Sequence, residues 1–157
     1  MKRANEILLH PTFVDAHERI IELERTSEFC RHGMEHLLDV ARIAYILNLE
    51  TGAQYDKELI YAAALLHDIG RARQCEDGTP HEIESARLAE TILPECGFDV
   101  QETAMVVDAI SLHRTKNGEK AGFSGFIYRA DKLSRYCCNC DGIEKCDWER
   151  KNSGIAL

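Results

Sequence analysis

Apolar residues recur at the three- and four-residue spacing of an amphipathic helix along nearly the whole chain of 157 residues. No segment shows the sustained alternation of apolar and polar residues that a half-buried strand requires. The predicted helices cover residues 12–25, 28–48, 57–70, 80–93, 99–114 and 126–137. We therefore expect an all-α protein, a compact bundle of five to seven helices.

Residues that cap helices support three of these segments. Asp56 can accept hydrogen bonds from the first turn of the third segment, and Thr79-Pro80 suits the start of the fourth. Asp99 with Glu102 three residues later resembles a capping box. The third segment, KELIYAAALLHDIG, has an Ala-rich middle that is apolar on every side, which predicts a central helix packed all round.

Composition narrows the class of protein. With 45% hydrophobic and 29% charged residues, a chain of this length predicts one globular domain over residues 1–157. No apolar run resembles a signal peptide or approaches the roughly 20 residues of a membrane span. We expect a cytoplasmic protein without a membrane partner. A formal charge of −8 lacks the basic surplus that binds duplex nucleic acid, so we expect no nucleic-acid partner.

The chemical signal is a set of histidines and aspartates on different predicted helices. His67 and Asp68 end the central apolar helix, and side chains one residue apart diverge by about 100°, so other helices must complete a shared metal site. Imidazole and carboxylate ligands suit divalent ions such as zinc, iron and manganese. His36 and Asp131 lie among apolar neighbours, where a charge is costly unless it is paired or binds metal. Taken singly, each is equally compatible with a hydrogen-bonded polar residue.

Taken together, His36 followed by Asp39-Val40-Ala41-Arg42, then His67-Asp68-Ile69-Gly70, then Ala130-Asp131-Lys132 resemble the HD superfamily of metal-dependent phosphohydrolases. The resemblance covers roughly residues 28–136, which we take as the core motif region, followed by a Cys-rich tail over residues 137–157. It implies a helical bundle of the HD type and a divalent metal held by His36, His67, Asp68 and Asp131.

Two further histidines bear on the number of ions. His81 opens the fourth predicted helix and His113 closes the fifth, and in HD proteins with two metals the additional histidines occupy such positions while the HD aspartate bridges the ions. The resemblance thus implies a second ion held by His81, His113 and Asp68. Iron, manganese, zinc, nickel, cobalt and magnesium are not distinguished, and both histidines are also compatible with helix-terminal roles. We expect His32, one turn before His36, to be a partly exposed helix residue.

The implied activity is hydrolysis of a phosphoric ester or anhydride by metal-activated water. Charge that develops on the phosphoryl oxygens requires nearby cations, although each candidate is also compatible with a solvated side chain. We expect Asp68, Arg71 and Lys132 to be catalytic. The residues expected to bind substrate are Arg71, Arg114, Lys132 and Arg135.

The substrate follows only by resemblance. The two extra histidines and the basic residue after HDIG look most like small HD enzymes that cleave dinucleoside polyphosphates, so we expect a nucleotide or dinucleoside polyphosphate. Two other enzyme classes remain open: an HD-fold di-iron oxygenase, which uses the same six ligands, and a mononuclear nucleoside monophosphate phosphatase. The chain departs from the Gly-Tyr-Pro loop of the cyclic-dinucleotide phosphodiesterases, which disfavours that substrate.

The tail contains four closely spaced cysteines. They are compatible with structural zinc, with a redox-sensitive pair or with reduced thiols, and the usual second pair of a zinc site is absent. The sequence decides neither this question nor whether the chain forms a homodimer. The four are Cys137, Cys138, Cys140 and Cys146.

Overall fold

Helices make up almost all of the regular structure in residues 1–114 and 122–146, the parts of the chain that the computed structural model describes. These parts contain no strand, so the all-α prediction is confirmed. The helices are α1 (Lys2–Leu9), α2 (Pro11–Glu24), α3 (Met34–Thr51), α4 (Lys57–Leu66), α5 (Arg71–Asp77), α6 (His81–Glu95), α7 (Val100–Leu112) and α8 (Phe123–Leu133), with a 3-10 turn at Cys137–Asn139.

Helix α4 is the central element, as its composition predicted. Its residues Ala62, Ala63 and Ala64 are buried, and it packs against α1, α3, α6, α7 and α8. Small side chains allow this close approach of several helices because they keep the backbones near one another. The Asp56 side chain caps α4 by accepting hydrogen bonds from the backbone N–H groups of Glu58 and Leu59.

Several predicted boundaries were wrong. Helix α4 ends at Leu66, so the HDIG sequence forms the turn into α5 instead of the last helical turn. Helix α3 begins at Met34 and not at residue 28, because the preceding segment turns back to hydrogen-bond with Glu24 at the end of α2. Thr79 does not cap α6; its hydroxyl donates to Asp77 instead.

Two short helices, α1 and α5, did not stand out in the sequence. Each has at most eight residues, which is too short for helical periodicity to emerge above noise. The capping box of Asp99 and Glu102 at the start of α7 is present as predicted. Most of the loop expected over residues 116–125 lies outside the described residues, and α8 already begins at Phe123.

The tail after α8 packs over the segment that links α2 to α3. Lys145 pairs with Glu28 at 2.5 Å, and an added Cβ at Gly142 would lie 2.6 Å from the Glu28 carbonyl oxygen. The tail therefore packs against the segment of residues 25–33. In the described ranges, no helix combines the length and the apolar character that crossing a lipid bilayer requires.

Ion pairs of Arg3 link α1 to the rest of the bundle. Its Nε donates to Glu58 of α4 at 2.9 Å, and its Nη1 donates to Glu102 of α7 at 2.6 Å. The guanidinium also lies 4.3 Å from the centre of the Phe98 ring. One cation thus joins three elements at the end of α4 that lies opposite the HDIG turn.

We expect Glu58→Gln to lower the free energy of unfolding by about 1–2 kcal/mol at neutral pH, because a charge-assisted pair is lost. Hydrogen bonding from Arg3 lowers the pKa of Glu58 from 4.5 to about 2. Since this folded-state pKa lies below the unfolded value, the stabilisation is present above pH 4.5 and is lost as the pH falls toward 2. Urea unfolding across this range measures the difference.

The exposed Glu90→Gln variant of α6 is the control and should unfold like the unchanged protein at each pH. A difference between Glu58→Gln and the unchanged protein that stayed constant with pH would contradict this assignment.

Candidate metal centre

Five helices bring the six predicted ligands to one place. His36 lies in the first turn of α3, His67 and Asp68 lie in the turn after α4, and His81 is the first residue of α6. His113 follows the last residue of α7, and Asp131 lies in α8. All but His36 are buried, and the His36 side chain is almost buried as well.

The six side chains form two groups that share Asp68. Within each group, one potential ligand atom per residue lies within 4.8 Å of every other. Asp68 Oδ2 lies 3.2 Å from His67 Nε2 and 3.5 Å from His36 Nε2. Asp68 Oδ1 lies 3.0 Å from His81 Nε2 and 3.5 Å from His113 Nε2. The first group is His36, His67, Asp68 and Asp131, and the second is Asp68, His81 and His113.

Hydrogen bonds fix the tautomers of three histidines. His67 Nδ1 donates to the Ala64 carbonyl at 2.8 Å, and His113 Nδ1 donates to the Ile110 carbonyl at 2.6 Å. His81 Nδ1 donates to Gln74 Oε1 at 2.6 Å. Because a neutral imidazole carries one proton, each Nε2 presents a lone pair toward Asp68.

A hydrogen bond to Ser134 fixes the His36 tautomer in the same way, with the proton on Nδ1. The Ser134 hydroxyl donates to the Asp131 carbonyl at 2.8 Å, so it accepts from His36 Nδ1 at 3.2 Å. Burial lowers the pKa of His36 to about 4. The ring is therefore neutral near pH 7, and its Nε2 also carries a lone pair.

This arrangement is unfavourable without cations. The Nε2 atoms of His81 and His113 lie 3.1 Å apart, although the tautomers leave neither with a proton. His36 Nε2, His67 Nε2 and both carboxylate oxygens of Asp68 are buried without a hydrogen-bond partner, which is costly for polar atoms. A divalent ion in each group would satisfy them, and the nitrogen and oxygen donors suit transition metals. The residues present thus fit two divalent ions.

Two cations hold Asp131 ionised. Arg135 Nη2 donates to Oδ1 at 2.6 Å, and Lys132 Nζ donates to Oδ2 at 2.5 Å. Burial alone would raise the pKa of Asp131, but the positive charges around it, that of Arg135 foremost, bring it well below its usual range. Asp131 is therefore a carboxylate at every physiological pH.

The structure groups three of the four predicted cations and separates the fourth. Arg71, Lys132 and Arg135 line a cavity of about 280 Å³ beside the two ligand groups. Arg71 Nη1 lies 3.8 Å from Asp68 Oδ1. Arg114 does not line this cavity; its side chain is 47% exposed and points to Glu82 of α6 at 3.4 Å. Arg114 is therefore not brought to this cavity, because its side chain is directed toward α6.

The sequence missed His32. The expectation of a partly exposed helix residue was wrong, because His32 precedes α3 and is only 3% exposed. Its Nδ1 donates to Glu24 at 2.7 Å, and its Nε2 accepts from Arg135 Nη1 at 3.0 Å. Burial lowers the pKa of His32, in keeping with a neutral ring that bears one proton. The spacing of four residues to His36 was the only signal of its proximity to the site.

A second and larger cavity opens from the other side of His36 and Arg135. Its volume is about 900 Å³, and it lies between the end of α2, the first half of α3 and the residues after α8. Phe29 and Tyr136 are 49% and 69% exposed at its wall. The cavity is therefore large and partly aromatic, and it adjoins the metal ligands.

The tail cysteines do not assemble into a metal site in the part of the chain that the structure describes. All seven cysteines are free thiols, and none belongs to a group of three or more potential ligands in residues 1–114 and 122–146. Cys146 lines the smaller cavity and Cys140 the larger. The geometry thus favours reduced thiols over structural zinc.

The absence of a side chain at Gly70 allows α6 to approach the HDIG turn closely. An added Cβ would lie 2.5 Å from both the His81 carbonyl oxygen and the Ser85 backbone nitrogen. The Gly70 N–H donates to Ser85 Oγ at 2.8 Å. A glycine is therefore required for the first turn of α6 to deliver His81 to Asp68.

We expect Gly70→Ala to lower stability by about 1–3 kcal/mol through overpacking against backbone atoms, and to weaken metal binding by the second group because α6 must move away. Gly33→Ala is the matched control, since an added Cβ there meets nothing within 4 Å. Thermal unfolding and metal analysis of both variants test this. Full metal content in Gly70→Ala would show that the close contact does not position His81.

The comparison with known proteins agrees with this geometry. Residues 33–136 match the HD domain family. The chain belongs to the HD domain family. A protein described as uncharacterized, from Clostridium beijerinckii, is 42% identical over 157 residues, which cover 99% of both chains. Proteins of this family bind divalent metals, as the paired ligand groups of this HD domain lead one to expect.

More distant relatives include larger proteins. Ribonuclease Y 1 of Pediococcus pentosaceus is 28% identical over 138 residues, covering 79% of this chain and 26% of that protein. This HD domain thus spans about a quarter of its length. The crystal structure of a predicted HD superfamily hydrolase from an uncultured Thermotogales bacterium matches with a TM-score of 0.61 and 28% identity, covering 78% of this chain and 65% of that one. Family and neighbour together support a metal-dependent hydrolase.

Metal analysis of Mn²⁺-loaded protein should find two ions per chain. His81→Ala and His113→Ala should each retain one, because they remove ligands of the second group only, whereas Asp68→Ala should lose both. His10→Ala, which alters a histidine paired with Glu95, is the control. Two ions bound to Asp68→Ala would refute the shared carboxylate.

Proposed function

We propose that this HD domain hydrolyses a phosphoric ester or anhydride of a small molecule. The observation that carries the proposal is the cavity next to the two ligand groups, where Arg71 and Lys132 stand beside Asp68 and Asp131. Cations placed next to divalent ions suit a reaction in which charge develops on phosphoryl oxygens.

Bound divalent ions lower the pKa of water toward neutrality and withdraw charge from phosphoryl oxygens. The protein's own residues provide the frame for this chemistry. Asp68 offers one oxygen to each ligand group, and the histidines keep their Nε2 lone pairs directed at the same points. Arg71 and Lys132 offer N–H donors on the cavity side, and the buried surroundings strengthen these interactions.

The larger cavity supports a nucleotide as substrate. Its volume of about 900 Å³ falls in the range of small-molecule sites. Phe29 and Tyr136 offer exposed rings at its wall, and base stacking on such rings contributes about 1–3 kcal/mol. Arg31 and Arg42 line the same cavity, which suits further phosphate groups. A nucleotide or dinucleoside polyphosphate would reach from there to the ligand groups past His36 and Arg135.

A nucleic-acid substrate is less well supported. The ribonuclease Y relatives are much longer than this chain, and RNA binding draws on a basic surface, whereas this chain has a formal charge of −8. We therefore propose a small substrate, with RNA as a comparison in the assay.

A di-iron oxygenase is the second candidate, because four histidines and two aspartates in two groups also suit a pair of iron ions. The cations around the cavity favour a substrate with phosphoryl or phosphonate oxygens over an uncharged one such as a polyol. Oxygen consumption by the iron-loaded protein would favour the oxygenase. The second ligand group disfavours the mononuclear phosphatase.

Metal-loaded protein should release phosphate or a nucleotide from at least one member of a panel of nucleoside phosphates, dinucleoside polyphosphates and phosphate monoesters. Asp68→Ala should abolish the activity, and Arg71→Gln and Lys132→Met should each lower kcat/KM by about 10²-fold, because each removes a donor to the phosphoryl group. Arg73→Gln, on the exposed side of α5, is the matched control. Undiminished activity in Asp68→Ala, or release of product only from RNA, would overturn the proposal.

A further inference from the structure

Glu24 is a buried carboxylate near the ligand groups but outside both of them. It is the last residue of α2. Its Oε2 accepts from the backbone N–H of His32 at 2.7 Å, and its Oε1 accepts from His32 Nδ1 at 2.7 Å and from Arg71 Nε at 3.2 Å. Burying a charged group costs free energy unless it is paired, and here three donors meet it.

One of these donors leads to a metal ligand. Because His32 Nδ1 donates to Glu24, its Nε2 is free of a proton and accepts from Arg135 Nη1 at 3.0 Å. Arg135 Nη2 in turn donates to Asp131 Oδ1 at 2.6 Å. The hydrogen bonds thus run without a gap from Glu24 through His32 and Arg135 to Asp131.

The other donor leads to the smaller cavity. With its Nε held by Glu24, Arg71 directs Nη1 to within 3.8 Å of Asp68 Oδ1. Arg71 lies at the start of α5 and Arg135 just after α8, so a single carboxylate orients guanidinium groups from two distant parts of the chain.

We propose that Glu24 and His32 are positioning residues of the site: Glu24 aims Arg71 at the phosphoryl group and, through His32, holds Arg135 and hence Asp131 in place. The role of Glu24 in aiming Arg71, which we call the Arg71 branch, rests on the proposed function. Its role in holding Asp131 through His32 and Arg135 is the Asp131 branch. The Asp131 branch concerns metal binding alone and stands without the proposed function.

Glutamine cannot replace Glu24 in this role. All three groups that face its side chain are donors, and an amide has only one acceptor atom while its NH₂ group is a donor. In Glu24→Gln, the NH₂ group must face either the His32 backbone N–H or both His32 Nδ1 and Arg71 Nε, because the latter two donors share Oε1. In either orientation a donor–donor contact displaces the amide from its partners. The substitution changes hydrogen bonding with little change in volume, which makes it the most direct test.

The experiment uses the full chain and measures two affinities: that for Mn²⁺, by competition with a chromophoric chelator, and that for inorganic phosphate, by calorimetry at saturating Mn²⁺. Outer-shell substitutions typically cost about 10–100-fold. We expect Glu24→Gln to weaken both affinities by about tenfold. His32→Ala should weaken the Mn²⁺ affinity by a similar factor.

The double variant Glu24→Gln/His32→Ala shows whether Glu24 affects the Mn²⁺ affinity through His32 or independently of it. If Glu24 acts on Asp131 through His32, Glu24→Gln in the His32→Ala background adds no further loss of Mn²⁺ affinity but still weakens phosphate binding. His32→Gln, whose side-chain oxygen can accept from Arg135, should recover part of the Mn²⁺ affinity and guards against misfolding of His32→Ala. Glu28→Gln, which removes an exposed carboxylate from the same segment, is the control and should change neither affinity.

Each outcome bears on one branch. Additive losses of Mn²⁺ affinity in the double variant, or unchanged Mn²⁺ affinity in both single variants, would overturn the Asp131 branch. Unchanged phosphate affinity in Glu24→Gln would overturn the Arg71 branch alone. Absence of phosphate binding by the unchanged protein would overturn the proposed function together with the Arg71 branch, whereas the Asp131 branch would still be decided by the Mn²⁺ measurements.

Discussion

The structure depends on a buried carboxylate that four histidines approach with Nε2 lone pairs. Asp68 is almost completely buried, and the Nε2 atoms of four histidines lie 3.0 to 3.5 Å from its two oxygens. Such a cluster repels itself and lacks hydrogen bonds, so the protein can hold it together only at the expense of stability unless cations occupy it. The Ala-rich centre of α4 and the missing side chain at Gly70 serve this cluster, because they let several helices approach the same turn.

Helix ends supply both the ligands and their protonation states. The last carbonyl groups of a helix have no partner within the helix. His67 and His113 each follow such an end, and each donates Nδ1 to the carbonyl three residues earlier, at Ala64 and Ile110. One bond therefore satisfies an unpaired carbonyl, fixes the ring and turns the Nε2 lone pair to the metal site. The Ala64 carbonyl can accept from His67 because α4 ends at Leu66, which accounts for the position of the HDIG turn after the helix.

The sequence predicted the six candidate ligands from two kinds of signal. His36, His67, Asp68 and Asp131 lie among apolar neighbours in the order of a known motif, whereas His81 and His113 followed from the family resemblance alone. The support around them could not be predicted in the same way. Glu24 and His32 meet only because the segment of residues 25–33 turns back on α2, and no periodicity encodes such a turn. Arg114 follows a candidate ligand directly, as Lys132 does, but adjacency along the chain does not fix the direction of a side chain, and that of Arg114 points to Glu82. The short helices α1 and α5 are defined by tertiary contacts and not by their own pattern.

The charges of the site are compatible with the proposed anionic substrate, although the chain as a whole is acidic. Glu24, Asp68 and Asp131 supply three negative charges, and Arg71, Lys132 and Arg135 balance them through direct contacts. Histidines that bind metal must be neutral, and with neutral histidines the protein's own groups sum to about zero. Two divalent ions would therefore leave the site strongly positive within a chain whose formal charge is −8. The phosphoryl group of the proposed substrate would match that local charge. Charge balance thus links the metal ligands and the Glu24 network to the proposed small anionic substrate.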